Sequence, residues 1–215
     1  MAHDSTDGAP HSGAFPRPVL ADDASLVAAL WAQSPGAIEA LHDRYGEFVQ
    51  RILCRMLGAD RELMDVHHDV FVRALGSLRE LRNPSALKSW LTSVAVFTAR
   101  TCIQRRTRGR WLRLVPEEEL PEVEAAIPSG EVNEALRATY AVLETLPADE
   151  RIAFALRFVE GMELTDVAAA CGVSLATIKR RLSRAEDRFV EMARSHPVLS
   201  EWLEGGTRWG GTSPR

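Results

Sequence analysis

The sequence is poor in the features that mark a secreted, membrane-bound or metal-holding protein. Its three cysteines, Cys54, Cys102 and Cys171, are tens of residues apart, so they supply neither a metal-binding pair nor an even disulfide set. No run approaches the ~18 consecutive apolar residues of a membrane span. The first twenty residues lack the basic start and apolar stretch of a secretory signal. We therefore expect a cytoplasmic protein without membrane insertion, with its cysteines reduced and buried.

Signs of β-strands and of catalytic motifs are also scarce. No stretch alternates apolar and polar residues between glycine-rich turns, whereas several carry apolar residues three and four positions apart, which predicts an all-α fold. A phosphate-cradling glycine loop and a nucleophile elbow are both missing, so we expect no cofactor and no catalysis by this chain alone. Asp65, His68 and Asp69 have the spacing of metal ligands on a helix, but no second cluster completes a site, and we expect no metal.

Charge is strongly segregated along the chain, although the formal net charge is only −4. Residues 36–115 contain 14 Lys and Arg against 8 Asp and Glu, whereas residues 116–134 contain seven acids and no base. Cations then gather in one short segment, at Lys179, Arg180, Arg181, Arg184 and Arg188. This distribution of charge is more informative than the net charge, because a binding partner responds to the local electrostatic field.

These patterns predict two small helical bundles joined by a flexible acidic linker that is rich in proline and glutamate. The predicted segments are a disordered head (1–21), a first domain (22–113), the linker (114–131), a second domain (132–194) and a C-terminal tail (195–215). In the tail, PVLSEWLEG at 197–205 predicts a short helix folded onto the second domain, although its exposed tryptophan is also suited to anchor a partner.

Helical periodicity and helix-ending residues define three helices early in the first domain. Asp22 and Asp23 are suited to cap a short helix that ends at Trp31. The second helix has apolar residues at helical spacing from Ile38 onward and ends at Gly58. The third begins at Asp60 and ends before the proline at position 84.

A fourth helix is predicted from about Ser85. Its buried face contains Leu87, Leu91, Val94 and Thr98, beside Trp90 and Phe97. It continues into the basic run QRRTRGRWLR at 104–113. The second, third and fourth helices are expected to form one bundle.

In the second domain, residues 164–189 have the pattern of a helix-turn-helix. Thr165 is suited to cap the first helix, the small Ala169 to permit a close crossing, and Gly172 to take positive φ in the turn. Ser174 is suited to cap a second helix. The inward residues of that helix are Leu175, Ile178, Leu182 and Ala185. Its outward residues are Ala176, Thr177, Lys179, Arg180, Arg181 and Arg184, which are suited to base edges and phosphates in a major groove. A helical hairpin with a solvated basic face is the alternative.

Both halves resemble one family, in that family's order and separation. DVHHDVF at 65–71 and LKSWLTSVA at 87–95 are similar to conserved segments of the extracytoplasmic-function (ECF, group IV) sigma factors of bacterial RNA polymerase. The segment LETLPADERIAFALRFVEGMELTDVAAACGVSLATIKRRLSRA, at 143–185, follows the pattern of the family's fourth region almost position by position. The resemblance spans roughly 36–112 and 132–192.

The resemblance implies a factor that binds core RNA polymerase, through the β′ clamp and the β subunit, and directs promoter recognition and DNA melting. It also implies an anti-sigma partner. The residues expected to face the polymerase are Asp65, His68, Asp69, Phe71 and Arg73, although Phe71 is equally suited to the core. Those expected at the −10 element are Asn83, Ser85, Lys88, Trp90, Arg100, Arg105, Arg106, Arg108 and Arg110. Those expected at the −35 element are Ser174, Ala176, Thr177, Lys179, Arg180, Arg181 and Arg184.

Some positions depart from the family pattern. His68 replaces the usual glutamine, Val96 and Phe97 replace a frequent Arg-Asn pair, and Thr101 replaces a frequent aspartate. Two other functions stay open at this stage. A free-standing helix-turn-helix regulator would bind duplex DNA alone and usually as a dimer. A helical adaptor would bind polymerase without reading DNA.

Overall fold

The computed structural model describes residues 21–58, 62–112 and 131–204, with side chains described for 21–58, 62–108 and 134–200. Within these ranges the chain forms α-helices, short 3-10 turns and one π-helical turn, without a strand, which confirms the predicted all-α fold. The predicted linker lies outside the described residues except for residue 131, and so does the predicted head except for residue 21. None of the described helices has both the length and the apolar character needed to cross a membrane.

The described residues of the first half form four α-helices. They are α1 (Asp23–Trp31), α2 (Ala37–Leu57), α3 (Leu63–Ser77) and α4 (Leu87–Leu112), with 3-10 turns at Leu78–Glu80 and Pro84–Ala86. Of the two predicted capping residues, Asp22 caps α1, since its carboxylate accepts a hydrogen bond from the Ser25 amide at 2.7 Å, whereas Asp23 is the first residue of the helix. Gly58 ends α2 with φ 77°, in the region that favours glycine. Helices α2, α3 and α4 pack against one another and form the predicted bundle.

The second half contains five helices among the described residues. They are α5 (Glu131–Thr145), α6 (Ala148–Phe154), α7 (Leu164–Cys171), α8 (Leu175–Arg194) and α9 (Pro197–Glu204), with a π-helical turn at Ala155–Val159 between α6 and α7. Helix α9 is the short tail helix predicted from the sequence. It packs on α5 and α8, and its Leu199 is buried in the same apolar cluster as Val142 and Phe189.

The two halves pack directly on each other. Helix α4 lies against α2 and α3 on the side of the first half and against α6 and α7 on the side of the second. One continuous apolar cluster contains Val96 and Ile103 of α4 together with Ile152, Leu156 and Val167 of the second half. The sequence predicts two bundles but does not predict this shared core.

Arg151 of α6 is the main buried polar group between the halves. Its side chain is 5% exposed, and its Nε and Nη2 donate hydrogen bonds to the carbonyl oxygens of Met56 and Leu57 at 2.8 and 2.9 Å. These carbonyls belong to the last turn of α2, where helical carbonyls have no partner further along the helix. A cation is favoured at this position because it satisfies the carbonyls and complements the helix dipole.

The end of α2 also approaches α5. A Cβ atom placed on Gly58 would lie 3.2 Å from Cδ1 of Tyr140. Burial raises the pKa of the Tyr140 phenol. The absence of a side chain at position 58 therefore serves both the turn and the close approach of a helix from the other half.

Several details of the predicted burial and capping are wrong, including the burial of Cys54, which is half-buried. Ile38, Phe97 and Leu175 were expected to be buried but are 55%, 53% and 39% exposed. Ile38 and Leu175 are exposed in the first turns of their helices. Phe97 was misjudged because the second half packs on another face of α4. Helix α7 begins at Leu164, so Thr165 lies inside it and does not cap it. Ala169 is exposed, and Ala168 and Ala170 are the small residues buried at the packed face.

His67 packs inside the first half. It is 6% exposed, its Nε2 lies 3.0 Å from the Gly46 carbonyl oxygen, and its ring meets the rings of His42 and Phe71 at centroid distances of 5.5 and 5.1 Å. Burial lowers the pKa of His67, because desolvation disfavours the imidazolium.

We expect His67 to make the fold sensitive to acid. Below an ordinary histidine pKa of about 6.5 the unfolded chain binds a proton at this position that the folded chain does not, so the free energy of unfolding falls as the pH is lowered. His67→Gln should remove up to ~1.4 kcal/mol per pH unit of that slope. Urea unfolding between about pH 5.5 and 7.5 measures it. The exposed His68→Gln is the control, and an equal slope in both variants would contradict the assignment.

Arg151→Met should lower the free energy of unfolding by about 3 kcal/mol, because two carbonyls at the end of α2 lose a charged donor. Urea unfolding followed by circular dichroism measures the change. Arg137→Met, on the exposed face of α5, is the matched control and should stay within ~0.5 kcal/mol of the unchanged chain. Equal midpoints for the two variants would show that Arg151 does not hold the halves together.

Candidate nucleic-acid interface

Helices α7 and α8 form the predicted helix-turn-helix. Gly172 ends α7 with φ 66°, and the Ser174 Oγ accepts a hydrogen bond from the Thr177 amide at 3.2 Å, which caps α8. The buried face of α8 contains Ile178, Leu182, Ala185, Phe189 and Ala193. Its amphipathic pattern fixes the rotation of the helix, and therefore the direction in which its cations point.

The opposite face of α8 presents short and cationic side chains to solvent. Of the predicted DNA contacts, Ser174, Ala176, Lys179, Arg180 and Arg184 are exposed, and Thr177 is half-buried. The Arg180 Nη2 donates a hydrogen bond to the Thr177 Oγ1 at 3.3 Å, which lies within the exposed face. Small residues at the start of the helix and arginines behind them are suited to a helix that enters a major groove.

Arg181 differs from its neighbours on α8. It is half-buried, and its Nη2 donates to the Asp149 Oδ2 of α6 at 2.8 Å. The Asp149 Oδ1 lies 2.7 Å from the Arg100 Nε of α4, as an ion pair without hydrogen-bond alignment. The sequence predicted Arg181 and Arg100 as DNA contacts, but in this arrangement both bind the same carboxylate. Sequence spacing gave no signal of this, because the three residues lie far apart in the chain.

The exposed face of α3 carries most of the residues expected to meet the polymerase. Asp65, His68, Asp69 and Arg73 are exposed, whereas Phe71 is 7% exposed. Phe71 packs against the rings of His42 and His67 and supports α3 from inside, so it is the core residue that the sequence left open as the alternative to a surface contact.

Two exposed apolar side chains on α3 and α4 were missed by the sequence analysis. Val72 and Phe97 are 54% and 53% exposed, and the Arg73 guanidinium carbon lies 5.4 Å from the centre of the Phe97 ring. The only feature of the sequence that could have indicated this exposure was Phe97 itself, which departs from the family pattern. Exposed aromatic and aliphatic side chains beside arginine are typical of protein contact surfaces.

The turn before α4 is stabilised by its own polar groups. The Asn83 Oδ1 accepts hydrogen bonds from the Ser85 amide at 3.1 Å and the Ser85 Oγ at 2.8 Å. The Lys88 Nζ lies 4.9 Å from the centre of the Phe48 ring, and the half-buried Trp90 packs on the core. Asn83, Ser85 and Lys88 are exposed, so the turn presents a preorganised polar surface.

The arginines at the end of α4 are divided between an acid and solvent. The Nη2 atoms of Arg105 and Arg106 lie 3.0 and 2.9 Å from the Glu62 Oε2. The hydrogen bond from Arg106 is the main reason that the pKa of Glu62 is lowered. Arg108 is exposed, and the predicted contact Arg110 lies on α4 but outside the described side chains. The end of the helix therefore retains exposed positive charge.

Two family profiles match the chain, in the order that the sequence analysis expected. The profile for sigma-70 region 2 matches residues 41–111, and the profile for sigma-70 region 4 matches residues 136–189. The RNA polymerase sigma-H factor of Pseudomonas aeruginosa is 24% identical over 193 residues, which is 83% of this chain and 96% of that protein. The ECF RNA polymerase sigma-E factor of Escherichia coli is 26% identical over 160 residues, which is 70% of this chain and 83% of the relative.

Two solved structures resemble the fold. The sigma factor RpoE in complex with the anti-sigma factor NepR, from Bartonella quintana, has a TM-score of 0.52 and 25% identity, and the match covers 74% of this chain and 97% of that chain. CnrH in complex with the cytosolic domain of CnrY has a TM-score of 0.53 and 19% identity, over 86% of this chain and 99% of that chain.

The two profiles together match more than half of the chain, with the helix-turn-helix inside the region 4 match and the α3 and α4 surfaces inside the region 2 match. Several relatives that match along most of their length are sigma factors of the extracytoplasmic-function type. The chain therefore belongs to the sigma-70 family, and it is an ECF-type sigma factor that directs RNA polymerase to promoters.

Proposed function

We propose that this chain is a group IV sigma factor whose α8 reads the −35 element, whose 82–88 turn and arginine-rich end of α4 hold the opened −10 element, and whose α3 docks on the polymerase. The observation that carries the proposal is α8 itself, capped at Ser174 and presenting Lys179, Arg180 and Arg184 outward from a buried apolar face. An adaptor that does not read DNA would have no use for this face.

The proposed −10 contact combines two surfaces of the first half. The exposed polar groups of Asn83, Ser85 and Lys88 are suited to hydrogen bonds with an unstacked base. Arg105, Arg106 and Arg108 are suited to hold the phosphates of the displaced strand. The carboxylate of Glu62 neutralises part of this charge in the absence of DNA, so a phosphate would compete with it for Arg105 and Arg106.

The proposed polymerase contact is the α3 face, extended by Val72 and Phe97. The partner there would be the β′ clamp, and the region 4 half would rest on the β subunit. Asp65 and Asp69 supply negative charge, and Val72 and Phe97 supply the apolar centre that a stable protein interface needs. The factor would act in the cytoplasm, with the polymerase and the promoter.

An anti-sigma protein is the proposed regulator. Support comes from the resemblance to RpoE, which was crystallised with the anti-sigma factor NepR. The match covers 97% of the RpoE chain, so both halves of the present chain have counterparts there.

The −35 assignment predicts that Arg180→Ala with Arg184→Ala will reduce promoter-specific run-off transcripts at least tenfold, since each arginine that contacts a base is worth about 1–3 kcal/mol. The assay uses core polymerase with and without the full chain on a panel of promoter fragments. Arg194→Ala, an exposed arginine on the last turn of the same helix, is the matched control and should leave transcript levels unchanged. Tight promoter binding by the chain alone, without new transcripts, would favour a free-standing regulator instead.

The polymerase contact predicts that Asp65→Lys with Asp69→Lys will weaken binding to core polymerase at least tenfold, because a complementary surface becomes repulsive. Biolayer interferometry with immobilised core polymerase measures the affinity. Glu80→Lys, an exposed reversal in the turn after α3, is the control. Equal affinity for the double variant and the control would place the polymerase contact elsewhere on the chain.

A further inference from the structure

The aromatic ring of Phe48, on α2, lies beside the turn that precedes α4. The Lys88 Nζ lies 4.9 Å from the centre of this ring, and the guanidinium carbon of Arg51 lies 5.5 Å from it. Both distances are within the range of a cation–π contact. Because Lys88 belongs to the turn of the proposed −10 contact, Phe48 supports the proposed DNA-binding surface from a neighbouring helix.

Contacts with α1 and α2 fix the orientation of the Phe48 ring. Tyr45, one turn earlier on α2, is 8% exposed, and its hydroxyl donates a hydrogen bond to the Asp23 Oδ2 at 2.7 Å. The Tyr45 ring meets the Phe48 ring edge to face, with a centroid distance of 6.4 Å and an interplanar angle of 75°. Phe48 is itself half-buried against the apolar core. The ring is therefore a fixed platform for the ammonium group of Lys88.

The position of Lys88 is electrostatically unfavourable without such a platform. Lys88 is the second residue of α4, and the first turn of this helix contains no acid. A cation there faces the positive end of the helix dipole. Within the described residues Lys88 forms no ion pair with an acidic side chain. The face of the Phe48 ring, which carries partial negative charge, offsets part of this cost.

A ring and a carboxylate leave a cation in different states. Arg105 and Arg106 share the carboxylate of Glu62, so DNA must displace an acid before it binds them. An ammonium group has three hydrogen-bond donors, and an aromatic face attracts its charge without accepting conventional hydrogen bonds. Lys88 is also exposed. It is therefore held in place with its donors available to a ligand.

We propose that Phe48 is a positioning residue for promoter melting. Its ring holds the Lys88 ammonium at the 82–88 turn, where the ammonium donates to the unstacked base of the −10 element. The inference rests on the proposed function, because that function assigns the unstacked base to this turn. Phe48 acts through Lys88, so a ring without a negative face releases the ammonium and weakens capture of the melted strand.

The test removes the negative face of the ring and keeps its shape. Trifluorophenylalanine in place of Phe48 is close to phenylalanine in size and apolarity, but its fluorine atoms withdraw charge from the face. Holoenzyme assembled from core polymerase and the full chain is titrated with a fluorescent single strand from the −10 region of a promoter that it transcribes. The fluorinated factor should bind this strand about threefold more weakly, as expected for an exposed cation–π contact.

Two backgrounds separate the cations that lie on the ring. With Lys88→Met, fluorination should no longer change the affinity, because the ring has lost the cation through which it acts. With Arg51→Met, the matched change of the other cation, fluorination should still weaken binding about threefold. A merely structural role of Phe48 would instead give the same effect of fluorination in both backgrounds.

A second measurement needs no DNA. Lys88 and Lys179 are the only lysines among the 26 basic residues, so isotope-labelled lysine gives NMR signals from two side chains. The ring current of Phe48 should shift the methylene signals of Lys88 upfield, and Phe48→Leu should return them to ordinary positions. Lys179, exposed on α8, is the internal control, and its signals should stay unchanged.

Each other outcome overturns a stated part of the inference. Lys88 signals that do not move in Phe48→Leu would show that the ring does not hold the lysine. Equal weakening by fluorination with and without Lys88 would overturn the positioning role. If the unchanged holoenzyme does not capture the melted strand, or Lys88→Met captures it equally well, the −10 assignment fails and the role of Phe48 in melting fails with it. The NMR signals still show in that case whether the ring holds Lys88.

Discussion

The burial of α4 on two sides is the constraint on which the rest of the structure depends. One side meets α2 and α3, and the other meets α6 and α7 of the second half. Buried residues therefore extend around most of the helix, including Thr92 and Thr98, whose hydroxyls donate to the carbonyls of Lys88 and Val94 within α4. A helix buried in this way leaves a narrow strip for solvent, and Phe97 lies on that strip.

This constraint explains which parts of the fold the sequence could predict. The helix ends depend on local chemistry, so Gly58, Gly172 and Ser174 were recognised from residue type and position alone. The buried face of α8 could be predicted because its apolar residues form one clear stripe along a single side of the helix. The face of α4 was misjudged because a helix with partners on two sides has no single apolar stripe, so its periodicity does not show which residue is exposed.

In the candidate site, too, some features could be predicted from the sequence and others could not. Exposed cations on α8 were predictable because they alternate with a buried face at fixed spacing. The sharing of Asp149 by Arg100 and Arg181 was not, because it joins residues from three helices and depends on how the halves dock. Arg151 was likewise invisible from the sequence, where it reads as an ordinary helix-surface arginine, since its partners are backbone carbonyls of a distant helix.

The meeting of Gly58 with Tyr140 has a consequence for how such proteins can be recombined. Sigma factors with two halves invite the exchange of one half for that of a relative. Here the end of α2 has no side chain where the Tyr140 ring of α5 lies, and a Cβ would meet that ring at 3.2 Å. A chimera must therefore carry the glycine and the tyrosine as a matched pair. The two halves cannot be exchanged independently where they share this surface.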